Sequence, residues 1–227
     1  MSQSKAPLQE GGLAAALDPL YRAYLRRLEE MAGRVEAPAL LREPTTRDEN
    51  GRLVVGADGF ALRFDVADGK TGSTFEVRSA RYDAPAVERL LAGMLEVELE
   101  PGCWEVFPVT CRFDGAPLPE DAAALAGLLR AFAELGHHGA FSARGAQKPW
   151  LGRIHSVQVE AGGDAITAVY DLGSAPPEAL EVLVRALDGF GVDRAPLAKV
   201  VLGGPVPDAP RKPLTPTVAT QQQGDGS

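Results

Sequence analysis

Aromatic residues make up only 6% of this 227-residue chain, and cysteine occurs twice, as Cys103 and Cys111. A core must then be built mainly from Leu, Val and Ala, and a disulfide-dense scaffold or a C-x-x-C zinc or redox pair is excluded. On one continuous strand the two thiols would lie about 26 Å apart at roughly 3.3 Å per residue, too far to bridge, although a turn at Pro108 would shorten that separation. Thiols buried as small apolar side chains are the simpler expectation. The chain also lacks any apolar run of about 18 residues, and Met1 to Gly12 has no signal-like apolar segment. No membrane span or export signal is read, and the expected location is the cytoplasm. Positive charge is in short supply: 23 Lys and Arg face 31 Asp and Glu, a net charge of −8. That balance argues against whole-surface attraction for nucleic acid or anionic membrane, so any polyanion site must be local.

What is present is ordinary globular material, 45% hydrophobic and 24% charged. Abundant Arg, Ala, Gly and Pro with little Lys also fits a bacterial genome of high GC content. A junction recurs three times, in Tyr82-Asp83-Ala84-Pro85, Phe113-Asp114-Gly115-Ala116-Pro117 and Tyr170-Asp171-Leu172-Gly173-Ser174-Ala175-Pro176. An aspartate or serine before proline suits a strand-to-helix turn, because the side chain accepts from open helix N–H groups and proline has its φ set. Capping and turn formation therefore account for Asp83, Asp114 and Asp171 without a carboxylate cluster.

Periodicity divides the chain into an α+β order. Residues 1–12 read as a flexible leader, and residues 13–50 as an N-terminal helix with a connection. The helix is expected to start at Asp18-Pro19 and run to about Gly33, with Leu17, Tyr21, Tyr24, Leu28, Met31 and Val35 on one face. That face either docks on the domain's own sheet or forms a dimer seam. Residues 51–145 read as a first α+β unit, with strands at Leu53–Val55, Phe60–Val66 and Thr74–Ala80 and a hairpin loop over Asp68–Gly72. A helix is expected from Pro85 through Val87, Leu90, Leu91 and Met94. Strands follow over Val97–Leu99 and Trp104–Phe113, then a helix opened by Pro117 and Pro119 with Leu125, Leu128, Leu129, Phe132 and Leu135 inward. Residues 146–203 read as a second unit: a hairpin around Gly162-Gly163-Asp164, a helix from Pro176 to about Phe190 and a strand over Leu197–Leu202. The tail, residues 204–227, has little to bury and is expected to be disordered. The fold class is α+β, a mainly antiparallel sheet with helices on one face, and two ferredoxin-like β-β-α-β units would give it.

One stretch departs from the acidic background. Residues 136–155 hold His137, His138 and His155 with Arg144, Lys148 and Arg153, the aromatics Phe141 and Trp150, and no acid. Such a loop suits phosphate, nucleotide or single-stranded RNA, since guanidinium and aromatic planes stack on bases. A polar, glycine-rich connection from helix to strand explains it equally. Leu135-Gly136, the Gly/Ser/Arg loop, Gly152-Arg153-Ile154 and Val157-Gln158-Val159 resemble locally the glycine-rich loop of RAMP-type RNA-binding subunits of CRISPR effectors, which also use ferredoxin-like folds. No functional residue is carried across that resemblance.

Catalytic residues, a metal site and a cofactor are not read. Adjacent His137 and His138 with His155 match no common zinc spacing, and no Gly-x-Ser-x-Gly elbow accompanies Ser142 or Ser156. The expected function is a non-catalytic interaction or assembly protein with an unidentified protein partner. Its contact surface would be Leu17, Tyr21, Tyr24, Leu28 and Met31, homodimerisation through that helix included, or an exposed sheet edge. The alternatives are an RNA- or nucleotide-binding module built on His137, His138, Arg144, Lys148, Trp150, Arg153 and His155, and an enzyme whose site is unrecognised.

Overall fold

The apolar stripe of the first helix begins earlier than its proline suggests. Leu13, Ala14, Leu17, Leu20, Tyr24, Leu28 and Ala32 are buried along α1 (Gly12–Ala32) in the computed structural model, which describes residues 6–7, 12–77, 89–142 and 151–205. Pro19 lies inside the helix, so the expected start at Asp18-Pro19 is corrected. A proline there removes one main-chain hydrogen bond. The Leu13–Leu17–Leu20 seam outweighs that loss, with the proline ring on the exposed side. The Ala14 N–H, open at the helix start, donates to Glu181 Oε1 at 3.0 Å.

The remaining described elements are β1 (Ala6–Pro7), β2 (Leu40–Arg42), β3 (Val66–Asp68), β4 (Thr74–Phe75), β5 (Arg89–Ala92), β6 (Leu95–Leu99), β7 (Phe107–Phe113), α2 (Pro119–His137), β8 (Ser156–Gly162), β9 (Ala165–Asp171), α3 (Pro177–Asp193) and β10 (Leu197–Leu202). They form two sheets, β1-β5-β6-β10-β7-β9-β8 and β2-β3-β4. Among the described residues only β1/β5 and β6/β10 pair in parallel. Three helices with two mostly antiparallel sheets are thus α+β, as expected.

The finer expectation of two ferredoxin-like β-β-α-β units is not confirmed. Elements β7-α2-β8-β9-α3-β10 run consecutively and lie in the order β10-β7-β9-β8, one βαββαβ arrangement. Strand β7 and helix α2, read as the end of a first unit, share this sheet with the hairpin and helix of the second. Helix α2 packs on β8 and β9, while α3 packs on β10, β6 and β5, and α1 lies mainly on α3. Along β9, buried Ile166, Ala168 and Tyr170 alternate with half-buried Thr167 and Val169. Tyr170 donates its hydroxyl to Leu129 O at 3.0 Å, which marks the helix-covered face. Across the sheet, Thr110 and Thr167 sit 3.1 Å apart and Lys199 pairs with Glu98 at 2.7 Å.

The expected helix from Pro85 is corrected where it is described. Arg89–Ala92 is strand β5, joined to β6 by the two-residue turn Gly93-Met94. Gly93 has φ 61, and a Cβ there would meet the Asp188 carboxylate at 2.2 Å. Asp188 accepts from the Met94 and Leu95 N–H groups at 3.0 and 3.1 Å, so α3 holds the turn. A short apolar run carries no period able to separate strand from helix. Residues 78–88, including Asp83 and Pro85, lie outside the described residues, as do most of the leader and the tail from residue 206.

Residues 40–77 make a separate small layer. Around β2-β3-β4, single bridges join Thr45 to Arg63, Arg47 to Leu53 and Val55 to Ala61. The Asp68–Gly72 hairpin loop is where the sequence put it, with Asp68 accepting from the Lys70 N–H at 2.8 Å.

Candidate functional site

The segment from Gly152 to His155 runs beside the segment from Asp171 to Ala175. His155 N–H donates to Asp171 O at 2.8 Å, Ala175 N–H to Arg153 O at 3.1 Å, and Gly152 N–H to Ser174 O at 3.1 Å. The turn within residues 171–175 needs glycine. Gly173 has φ 47, and a Cβ there would lie 2.6 Å from the His155 ring. The imidazole is therefore packed directly on main chain.

The small layer supplies acids to this ring. Glu43 follows β2 at φ 46, and Asp65 precedes β3. Glu43 Oε1 lies 3.0 Å from His155 Nε2 and accepts from Ser174 N–H at 2.9 Å, while Ser174 Oγ donates to Glu43 Oε2 at 2.7 Å. On the other side of the ring, Nδ1 is 3.5 Å from Asp171 Oδ1 and 3.9 Å from Asp65 Oδ1. Asp65 in turn accepts from the Tyr24 hydroxyl and, at 2.6 Å, from Val77 N–H. His155, Glu43, Asp65 and Ser174 are all buried. Helix α1, the small layer and the main sheet meet in one polar cluster.

Electrostatics fix the proton inventory. Burial opposes a charge on His155, but Asp171 and Glu43 outweigh it and hold the imidazole well above its ordinary value. Burial first, and then Asp171, push Asp65 up to about 6, against the pull of His155 and of the Tyr24 and Val77 hydrogen bonds. Burial and the same acids also raise Tyr24. The cluster stores a proton; Glu43, Asp65, His155 and Ser174 are buried, and Asp171 is its most open member, at 22% exposure. Ser174 Oγ accepts from Gly152 N–H at 3.0 Å and Arg153 N–H at 3.3 Å while giving its proton to Glu43. Glu43 stands between serine and histidine, so Ser174, His155 and Asp171 do not form a nucleophilic triad.

The residues expected from the sequence scatter around this cluster. His155 turns into it and away from the surface. His137 is buried, its Nδ1 3.2 Å from Ile154 O and its ring 5.3 Å from Phe60. Burial and then Arg63 lower its proton affinity. Arg153 donates Nη1 to His137 O at 3.1 Å, and His138 is exposed. Arg144, Lys148 and Trp150 lie outside the described residues. On α1, Leu17, Tyr24 and Leu28 are buried within the chain's own fold, and Tyr21 and Met31 pack against the same core. Of the junction aspartates, Asp171 accepts from Gly173 N–H at 3.2 Å, the expected turn role, but it also faces His155 beside Asp65, so the expectation of no carboxylate cluster is corrected there. Neither α2 nor α3 has a side-chain cap; Leu118 and Pro176 occupy those positions. Cys103 is half-buried and Cys111 buried, and burial pushes the Cys111 thiol up to about 12.

Sequence reasoning missed Glu43, Asp65 and Ser174 as members of a site. Two weak signals were present: a phenol, Tyr24, in an apolar helix seam, and a histidine at the head of an apolar strand, each needing a buried partner. Among the described residues no group of three His, Cys, Asp or Glu side chains is arranged to hold a metal ion, and no helix is long and apolar enough to cross a membrane. Two surface depressions lie on the outer side of α1, at Arg22, Leu25 and Arg26, and at the end of α2, at Glu134, Leu135 and His138; neither reaches the cluster. No family model matches the chain, and no curated protein or solved structure matches it.

Proposed function

We propose that this protein is a non-catalytic interaction or assembly protein that works in the cytoplasm through protein–protein contacts. The observation behind this reading is how its buried acids and bases are used: Glu43, Asp65, His155 and Ser174 bond one another, and each of the four is buried. Because the α1 face is occupied internally, the contact falls to a sheet edge. Strand β8 ends the seven-stranded sheet, and its Val157 N–H donates outward to Asp58 Oδ2 at 3.3 Å. By the two-residue alternation of a strand, the N–H groups of Val159 and Ala161 also point away from β9. Those groups offer a partner strand a ladder. Exposed Leu41, Leu53 and Val55 on the small layer add apolar surface.

The test is Val159→Pro, which removes an outward N–H and no bond to β9. A nuclease-resistant partner cross-linked to the wild type from its native extract is expected to be lost by this variant, with an unchanged circular dichroism spectrum. Equal capture by both, or turnover of a small substrate that depends on His155, contradicts the reading.

A second reading, RNA or nucleotide binding by the 136–155 stretch, is favoured by Arg63. Burial and then the nearby Arg153 lower its proton affinity, so the small layer adds a cation beside His137 and Arg153. Salt-sensitive binding lost on joint neutralisation of Arg63, Arg144, Lys148 and Arg153 is its expected signature.

A further inference from the structure

Three donors of the main body converge on one carboxylate that the body does not own. Ser174 N–H, Ser174 O–H and protonated His155 Nε2 reach the two oxygens of Glu43 at 2.9, 2.7 and 3.0 Å. The side chains of His155 and Glu43 are 2% and 0% exposed. Each donor is fixed independently of Glu43. Main-chain N–H groups of Gly152 and Arg153 occupy the acceptor side of Ser174 Oγ, so its proton is turned toward the carboxylate. The absence of a side chain at Gly173 seats the His155 ring, and Asp171 and Asp65 face its other nitrogen.

The acceptor is held quite differently. Glu43 sits in the left-handed region at φ 46, which a residue with a side chain occupies only when its surroundings impose it. It arrives on a layer that contributes only Val66, Ala67 and Val77 to the buried hydrophobic residues. The donors form a receptor and the acceptor fills it from outside.

We propose that His155 and Ser174 form a carboxylate-binding site which the chain occupies in cis with Glu43, and for which an external carboxylate competes. The donor set selects the ligand class. Three donors aimed at two adjacent oxygens fit a carboxylate, and because Asp171 and Asp65 already face the single cationic ring, the second charge of a phosphate dianion finds no partner. The ligand is a small free acid or an acidic side chain. The site does not depend on whether the β8 edge binds a partner, and the two are tested apart.

The experiment uses the full chain carrying Glu43→Ala, melted at one ionic strength in sodium chloride, in sodium acetate, and in chloride with N-acetyl-glutamate amide. Acetate is expected to raise the midpoint of the variant by about 2 °C or more over chloride, with no such difference for the wild type or for Glu43→Ala combined with Ser174→Ala. If the variant does not fold in chloride, the yield on refolding in each medium is read instead. A rise with both compounds assigns the site to acidic side chains as well as free acids, and a rise with acetate alone assigns it to small acids. Equal behaviour in all three media, or a rise that survives removal of Ser174, overturns the proposal.

Discussion

The βαββαβ body and the 40–77 layer are fastened by different kinds of interaction. In the body, Leu125, Leu129 and Phe132 of α2 and Leu180, Leu183, Val184 and Leu187 of α3 are buried against the apolar face of the sheet. That attachment is non-directional and spread over many side chains. The small layer buries few apolar groups but carries Glu43 and Asp65 into the interior, where they meet His155, Ser174 and Tyr24. A directional, charged joint is sensitive to protonation, whereas an apolar seam loses stability by cavity formation whatever the pH. The chain thus combines a core indifferent to pH with a joint that depends on it.

Substitutions separate the two. Glu43→Ala strands a protonated imidazole and two donors in the interior, and the expected loss is about 3–5 kcal/mol in urea unfolding, the largest effect here. A loss below about 1 kcal/mol would erase the contrast. Leu180→Ala, fully buried in α3, is expected to cost about 3 kcal/mol by a cavity and to do so equally at pH 6 and pH 9. A pH-dependent cost there would mean that the core is coupled to the joint. Gly173→Ala combines an unfavourable φ with a Cβ pressed on the His155 ring, and about 2 kcal/mol is expected, together with altered imidazole resonances. At the other extreme, Met94→Ser at the exposed β5–β6 turn is expected to change stability by less than about 0.5 kcal/mol.

The two regions also differed in how readily the sequence disclosed them. Helix α2 and the β8–β9 hairpin follow period and turn residues: Leu125, Leu129 and Phe132 recur at helical spacing, and Gly163 carries φ 59 in its turn. Such signals are local. Helix α1 begins before Pro19 because a tertiary seam overrides the local start signal of Asp18-Pro19, and the sequence reads helix at β5 because Leu90 and Leu91 belong to a run too short to show a period. The joint left almost no local trace. Glu43 and Ser174 are 131 positions apart, and Glu43 and His155 are 112 apart. Nothing near Glu43 in sequence marks it as buried, since its partners are created by topology. The cationic stretch was legible as composition, yet its histidines divided between an exposed His138, a His137 tied to Ile154 and a His155 turned inward.

Hydrogen exchange of the wild-type chain at pH 6 and pH 9, expressed as protection factors, tests this contrast most directly. His155 has a folded value raised above its unfolded one, so its contribution is complete below about 6.5 and is lost as pH rises through the raised value. Asp65, raised from 3.8 to about 6, acts in the same direction, withdrawing stability as pH climbs across that interval. Amides of residues 40–77 are therefore expected to lose protection at pH 9 while those of α2, α3 and β9 keep theirs. Protection that falls together in both regions, or that holds in 40–77, would contradict a joint built on His155.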